Sequence, residues 1–266
     1  MTGYLCETCG AQFTPSEAPP ERCPICDDAR QWVPEAGQRW ITPDDLAARH
    51  RNELRRDGAF EGVGVEPGFA IGQRALLVPA GGRNVLWECV PLLDDAAAAA
   101  IEARGGLAGI AISHPHYYTG MVEWAHRFGC PVHLHADDRE WIMRPDAAIE
   151  LWDGETLALG DGLTLIRCGG HFAGGTVLHD APRGNLLSGD IVQVIPDRTH
   201  VGFMYSYPNL IPLPAASVRA IAAALEPYSF ERIYGAWWDR IVRGDGSAIV
   251  RRSADRYVRA LEGELP

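Results

Sequence analysis

What the 266 residues lack sets the first bounds. No apolar run approaches the ~20 residues that a membrane-spanning helix requires, so no membrane association is expected. The opening MTGYLCETCG carries neither a basic stretch nor a following apolar segment. No secretory signal is read there, and a cytoplasmic location is expected. Positive charge is also scarce: 24 Lys and Arg face 35 Asp and Glu, a formal net charge of -11. Nucleic-acid partners are held by clustered cations, so they are excluded and a small-molecule substrate is preferred. Arg51, Arg55, Arg56, Arg251, Arg252 and Arg256 are spread through expected helices and read as solvated faces.

What is present describes a soluble globular chain, 47% hydrophobic and 22% charged. Seven cysteines are not evenly placed: Cys6-x2-Cys9 and Cys23-x2-Cys26 form two close pairs, with Cys89, Cys130 and Cys168 left as reduced thiols. Two such knuckles let four thiolates converge tetrahedrally, the geometry of a structural zinc or a rubredoxin-type iron. A disulfide reading competes but fits poorly with a chain that carries no secretion signal. A segment of this size buries too little apolar surface to fold unaided, so its ion is expected to fold it. CETCG followed by CPIC resembles a short rubredoxin-like zinc ribbon. The expected organisation is a four-cysteine metal ribbon over residues 1–36 and one α/β domain over residues 37–266. Trp32 and Trp40, flanking the junction, are candidates to dock the two.

Along the rest of the chain, Thr42-Pro43-Asp44-Asp45 reads as an N-cap with Pro at the first helical position, and predicts a helix through about Arg56. FAIG, RALLVPA and NVLWECV are strand candidates separated by glycine turns. Asp94-Asp95 caps an alanine-rich helix ending at Gly105-Gly106. Strand, motif and helix follow at 107–128, and PVHLH, ETLALG, GLTLIRC, TVLHD and NLLSG carry the pattern onward. A helix near 214–226, a strand at ERIYG and a closing helix from Ser247 complete it.

Within that pattern His114, His116, His171 and Asp190 each stand where a strand-like run ends. In extended chain, residues i and i+2 point to one side, so His114 and His116 can reach a single ion together. Three imidazoles and one carboxylate suit zinc or ferrous iron, whereas calcium and magnesium prefer oxygen shells.

The order of these motifs resembles the metallo-β-lactamase superfamily: an HxHxDH-type segment at His114-Pro115-His116-Tyr117-Tyr118-Thr119, a GGH turn at Gly169-Gly170-His171, and an SGD turn at Ser188-Gly189-Asp190. The resemblance spans roughly residues 65–240. It implies a four-layer αββα sandwich, where periodicity alone says only α/β. It also implies that His114, His116, His171 and Asp190 are the metal ligands. The family's second metal uses the Asp and last His of HxHxDH and a late His. This chain has Tyr118 and Thr119 in the first two places and Gly235-Ala236-Trp237 at the third. A phenol and an aliphatic hydroxyl do not ionise near neutral pH, so a mononuclear centre is expected.

The chemistry expected of such a centre is hydrolysis by a zinc-activated water, with Asp190 ligating the ion or orienting the water. Tyr118 has two readings of equal weight, donation to a developing oxyanion or filling of the space left by the missing second ion. Asp239 is a weaker acid/base candidate, and Cys168, close to His171, reads as a small buried residue. The irregular stretch DRTHVGFMYSYPNLIPLP places Phe203, Tyr205 and Tyr207 either in a substrate pocket or over a sheet edge. His200 in it reads as a surface residue, and His133 and His135 are left out of the ligand set. The expected cofactors are two zinc ions, with iron an alternative at either site. Two other functions stay open: a mononuclear iron oxygenase or dioxygenase acting on a thiol or sulfur substrate, and a non-catalytic, metal-braced binding protein. A homodimer is a reasonable assembly.

Overall fold

The computed structural model describes residues 1–265. The N-terminal ribbon is a three-stranded antiparallel sheet in the order β2 (Gln12–Ser16), β1 (Thr2–Cys6), β3 (Trp40–Ile41), with a single helical turn α1 (Pro24–Asp27). The third strand lies beyond residue 36, because Cys6 and Leu5 pair with Trp40 and Ile41. The ribbon core consists of its four cysteines with Ala11, Phe13 and Ile25. Phe13 meets Trp40 edge to face at 4.9 Å, and Trp32 stays half exposed. Trp40 therefore serves inside the ribbon.

After helix α2 (Pro43–Arg49), seven strands form the first large sheet: β4 (Arg51–Asp57), β5 (Phe60–Glu66), β6 (Ala75–Ala80), β7 (Arg83–Trp87), β8 (Leu107–Ala111), β9 (Val132–His135) and β10 (Ile149–Trp152), in consecutive order from one edge to the other. Helices α3 (Asp95–Glu102) and α4 (Met121–Phe128) supply crossovers between strands of the parallel run β7, β8, β9 and β10. The second sheet runs β11 (Thr156–Gly160), β12 (Leu163–Arg167), β13 (Thr176–Asp180), β14 (Asn185–Gly189), then β19 (Arg232–Gly235) and β20 (Ile241–Arg243). Between β14 and β19 lie two small ribbons, β15 (Gln193–Val194) with β16 (Val201–Gly202) and β17 (Met204–Ser206) with β18 (Ile211–Pro212), and helix α5 (Ala215–Leu225). Helix α6 (Gly246–Leu261) closes the fold.

Three apolar clusters define the layers. Phe60, Leu76, Trp87, Leu165, Leu178 and Tyr234 fill the space between the sheets. Ile101, Leu107, Met121, Trp124 and Val132 join α3 and α4 to the first sheet. Ile166, Val177, Val218, Ile221, Ile249 and Val258 join α5 and α6 to the second. The architecture is the αββα sandwich.

Two local expectations need correction. The helix opened by Thr42, whose side chain accepts from Asp45 N–H, ends at Arg49 instead of Arg56. RNELRRD then forms β4, paired residue by residue with β5 across a tight turn at Gly58 and Ala59. Its helix-forming composition is overruled by an Asp57-Gly58 turn, with Gly58 at φ +62°, and by an edge position that leaves the arginines in solvent. FAIG, expected as a strand, is a turn closed by Gly72 N–H to Phe69 O at 3.0 Å. Its Phe69 and Ile71 pack all the same.

Candidate metal centre

The four residues singled out at strand ends converge. His114 and His116 follow β8, His171 follows β12 and Asp190 follows β14, so neighbouring strand ends of both sheets face one point. Thr176 N–H donates to Ser113 O at 2.9 Å, tying the first motif to the strand after the second. Glycine is required at the turns. Gly189 has φ +55°, and a Cβ there would stand 2.7 Å from both Glu88 Oε1 and Ser113 Oγ. Gly170 has φ +82°, and a Cβ on it would stand 2.7 Å from Ile221 Cδ1.

The three imidazoles each offer a nitrogen within 4.8 Å of the others. His116 Nδ1 and His171 Nε2 face each other at 3.1 Å, and His114 Nε2 stands 3.3 Å from Asp190 Oδ1. Two nitrogens ~2.0–2.1 Å from a tetrahedral zinc would be about 3.3 Å apart, so these spacings fit a shared ion. The remaining ring atoms are held from outside: His114 Nδ1 lies 2.8 Å from Ser113 Oγ and His171 Nδ1 3.2 Å from Met204 O. Such outer contacts fix the tautomer that presents the other nitrogen. His114 Nε2 and Asp190 Oδ1 are buried without a hydrogen-bond partner. Buried polar atoms are rarely left open, and a cation is what this set would satisfy.

Electrostatics agree. Burial, then the neighbouring imidazoles, keeps His114 and His116 well below the usual histidine range, and burial takes His171 to about 4. All three are thus neutral near pH 7, the ligating form. Burial pushes Asp190 up to about 7, opposed by the hydroxyl of Tyr117. A carboxylate so placed lacks a positive neighbour.

In the ribbon, Cys6 Sγ and Cys26 Sγ are 3.6 Å apart, as are Cys9 Sγ and Cys23 Sγ. A disulfide needs ~2.05 Å, whereas four thiolates ~2.3 Å from a tetrahedral ion stand about 3.8 Å apart. The four form one compact buried group.

Tyr118, read equally as an oxyanion donor or as a filler of the second ion's space, is packed in the apolar cluster of the first sheet, and its backbone oxygen receives Gln12 N–H at 3.3 Å. The phenol against the imidazoles belongs to Tyr117, whose ring is 4.5 Å from that of His114. Its hydroxyl is buried without a hydrogen-bond partner among the described residues. Asp239 is 83% exposed and 3.5 Å from Arg55, an ordinary surface ion pair. Burial raises the Cys168 thiol to about 12, as in a core residue. Phe203 is core, and His200 pairs with Asp197 at 3.1 Å.

The cover of the site is not legible in the sequence. Arg30 of the ribbon lies 3.9 Å over the ring of Phe172 and 5.2 Å over Trp141, donates to His171 O at 3.2 Å, and is braced by Asp28 at 2.6 Å. Asn209 Nδ2 donates to Ala29 O and Gln31 O, both at 3.0 Å. From the loop side, Tyr207 Oη donates to Asp190 O at 2.5 Å, and its ring meets His171 at 5.5 Å. The four ligand candidates are at most 4% exposed.

Fold and motifs together define a protein of metallo-β-lactamase architecture carrying a four-cysteine ribbon. Among similar solved structures, the metallo-β-lactamase DIM-1 superposes with a TM-score of 0.60 at 15% identity, covering 79% of this chain and 98% of that one. VMB-1 gives 0.59 at 13% over 79% and 98%, and FIM-1 from Pseudomonas aeruginosa, in a mono-zinc form, gives 0.56 at 14% over 78% and 96%. No family model matches the sequence. The chain belongs to the family of the uncharacterized protein YmaE of Bacillus subtilis (strain 168), to which it is 46% identical over 272 residues, 100% of this chain and 99% of that protein.

Proposed function

We propose that this protein is a mononuclear metal-dependent hydrolase of a small-molecule substrate, with zinc held by His114 Nε2, His116 Nδ1, His171 Nε2 and the Asp190 carboxylate, and a second zinc held structurally by Cys6, Cys9, Cys23 and Cys26. The observation that carries the reading is the 3.1 Å approach of His116 Nδ1 to His171 Nε2 beside the unpartnered His114 Nε2 and Asp190 Oδ1. A single ion is favoured because the positions of a second metal's ligands hold Tyr118 and Thr119, both engaged by the ribbon. FIM-1, of the same fold, is known in a mono-zinc form.

When bound in such a set, zinc supplies a hydroxide nucleophile near neutral pH and polarises a carbonyl. The chain's residues do the rest. The Asp190 carboxylate, through the oxygen left free of the ion, accepts the proton of the attacking water and orients it. Tyr207 Oη, donating to Asp190 O, holds the backbone that carries this carboxylate. Phe172, Tyr207 and Arg30 keep bulk water away, which strengthens every polar interaction inside.

The closed cover favours a second reading, a metal-braced binding protein without turnover. Element-resolved metal content, with hydrolysis of an ester, thioester and lactam panel and oxygen uptake with thiols, separates the readings. One zinc in each site with hydrolysis supports the proposal. Iron in the large domain with oxygen consumption would replace it by the oxygenase, and full metal occupancy without any turnover would replace it by the binding protein.

A further inference from the structure

A cavity of about 480 Å³ lies between the segment 193–210 and helix α6. This falls in the ~300–1,000 Å³ range of small-molecule pockets. Its walls are nearly all apolar, with Ile195, Val201, Met204, Tyr207, Tyr257 and Ala260 among them. Two of these residues also touch the metal centre. Met204 O is the partner of His171 Nδ1, and Tyr207 Oη donates to Asp190 O. The cavity and the buried centre therefore share one partition, one side chain thick. Tyr257 Oη donates to Met204 Sδ at 3.2 Å and steadies that partition from the cavity side.

We infer that this cavity is the acyl pocket of the enzyme, that Tyr207 is the gate between it and the metal, and that the substrate is an ester or thioester with an unbranched apolar chain. The inference rests on the hydrolase reading for its chemistry and on the cavity for its specificity. His200 and Arg256 are the ionisable members of a lining whose surface is mostly apolar, and on such a surface each buried methylene tightens binding about fourfold. Displacing Tyr207 breaks one hydrogen bond to a backbone oxygen and opens a path for the carbonyl to the imidazoles. In the reaction, water adds to the carbonyl carbon and the C–O or C–S bond breaks. The acid forms, and the water's proton leaves on the alcohol or thiol.

The test uses the full-length, metal-loaded protein. Calorimetry with two neutral probes, butan-1-ol and octan-1-ol, measures the pocket independently of turnover. Octan-1-ol is expected to bind at least tenfold more tightly. Ala260→Trp, at a solvent-facing position of α6, fills the cavity and weakens octan-1-ol at least tenfold. Ile195→Trp does the same from the opposite wall. With 4-nitrophenyl esters, wild type prefers octanoate to butanoate in kcat/KM, and Ala260→Trp lowers that preference about tenfold. Equal binding of the two alcohols, or an octan-1-ol affinity unchanged by both variants, overturns the inference. Turnover of short esters without chain-length-dependent binding sinks the pocket and leaves the hydrolase. Binding that obeys the pattern without turnover of any ester sinks the hydrolase and leaves an apolar ligand site.

Discussion

Thr119 Oγ1 donates a 2.6 Å hydrogen bond to the backbone oxygen of Gly10, so the residue at the last place of the HxHxDH-type segment is a fastener for the ribbon. The next contact is of the same kind, Gln12 N–H to Tyr118 O. Both of the motif's last two positions are docking points for the ribbon. Thr119→Val keeps the shape and leaves Gly10 O without its donor. The expected cost is ~1–3 kcal/mol in chemical denaturation, with the large domain's metal retained. A variant as stable as wild type would show that the ribbon is held by other contacts.

Tyr118→Asp combined with Thr119→His rebuilds the letters of the two-metal motif, yet the ribbon stays above them. Metal analysis is expected to find no additional ion in the large domain, together with a loss of stability. One extra equivalent would mean that the ribbon yields and that the ligand letters alone decide metal number.

Much of this centre can be read from the sequence because its signals are local. His114 and His116 stand two apart after an apolar run, and His171 and Asp190 follow glycine turns that only a few backbones tolerate. The strands behind them, β8, β12 and β14, are legible for the same reason. The motif resemblance points to Tyr118, which stands in the place of the motif's Asp, whereas the turn Pro115–Tyr117 brings the ring of Tyr117 against His114. The β4–β5 hairpin is hidden by charged residues that favour helices when nothing pairs with them. Arg30 gives no sequence signal at all: it lies 141 residues from His171 and reaches it only through tertiary packing.

Arg30 joins the ribbon to the histidine site. Its guanidinium both covers Phe172 and holds the carbonyl of His171. Arg30→Ala is expected to weaken metal binding at the histidine site about tenfold, the usual effect of losing an outer support. Competition with a chromophoric chelator reads this directly. An unchanged affinity would make Arg30 a docking residue only.

Cys23→Ser and His171→Ala separate the two ions. The first is expected to lose one equivalent together with the ribbon's fold, since the small sheet has little core beyond its cysteines. The second is expected to lose a different equivalent while the circular dichroism of the sandwich persists. If either variant loses both ions, the sites are coupled through the docked ribbon.

Glu88 supplies the pH prediction. It is wholly buried, its Oε2 accepts Ser113 N–H at 3.1 Å, and its Oε1 has no partner. Burial pushes its carboxyl up to about 8, with the hydrogen bonds to Ser113 opposing. A folded-state value above the unfolded one of ~4.3 means that the native state holds this proton more tightly. The resulting stability is fully present below about pH 4 and is lost as pH rises through about 8. Glu88→Gln keeps an acceptor for Ser113 and never charges. Its advantage over wild type should therefore grow between about pH 5.5 and 8.5, by ~1–3 kcal/mol, or several degrees in Tm. A cation at His114 and Asp190 favours the Glu88 carboxylate, so the gap should shrink when metal is loaded. A difference between the two proteins that does not change with pH would mean that Glu88 stays ionised in the fold, with Arg74 as its counter-charge.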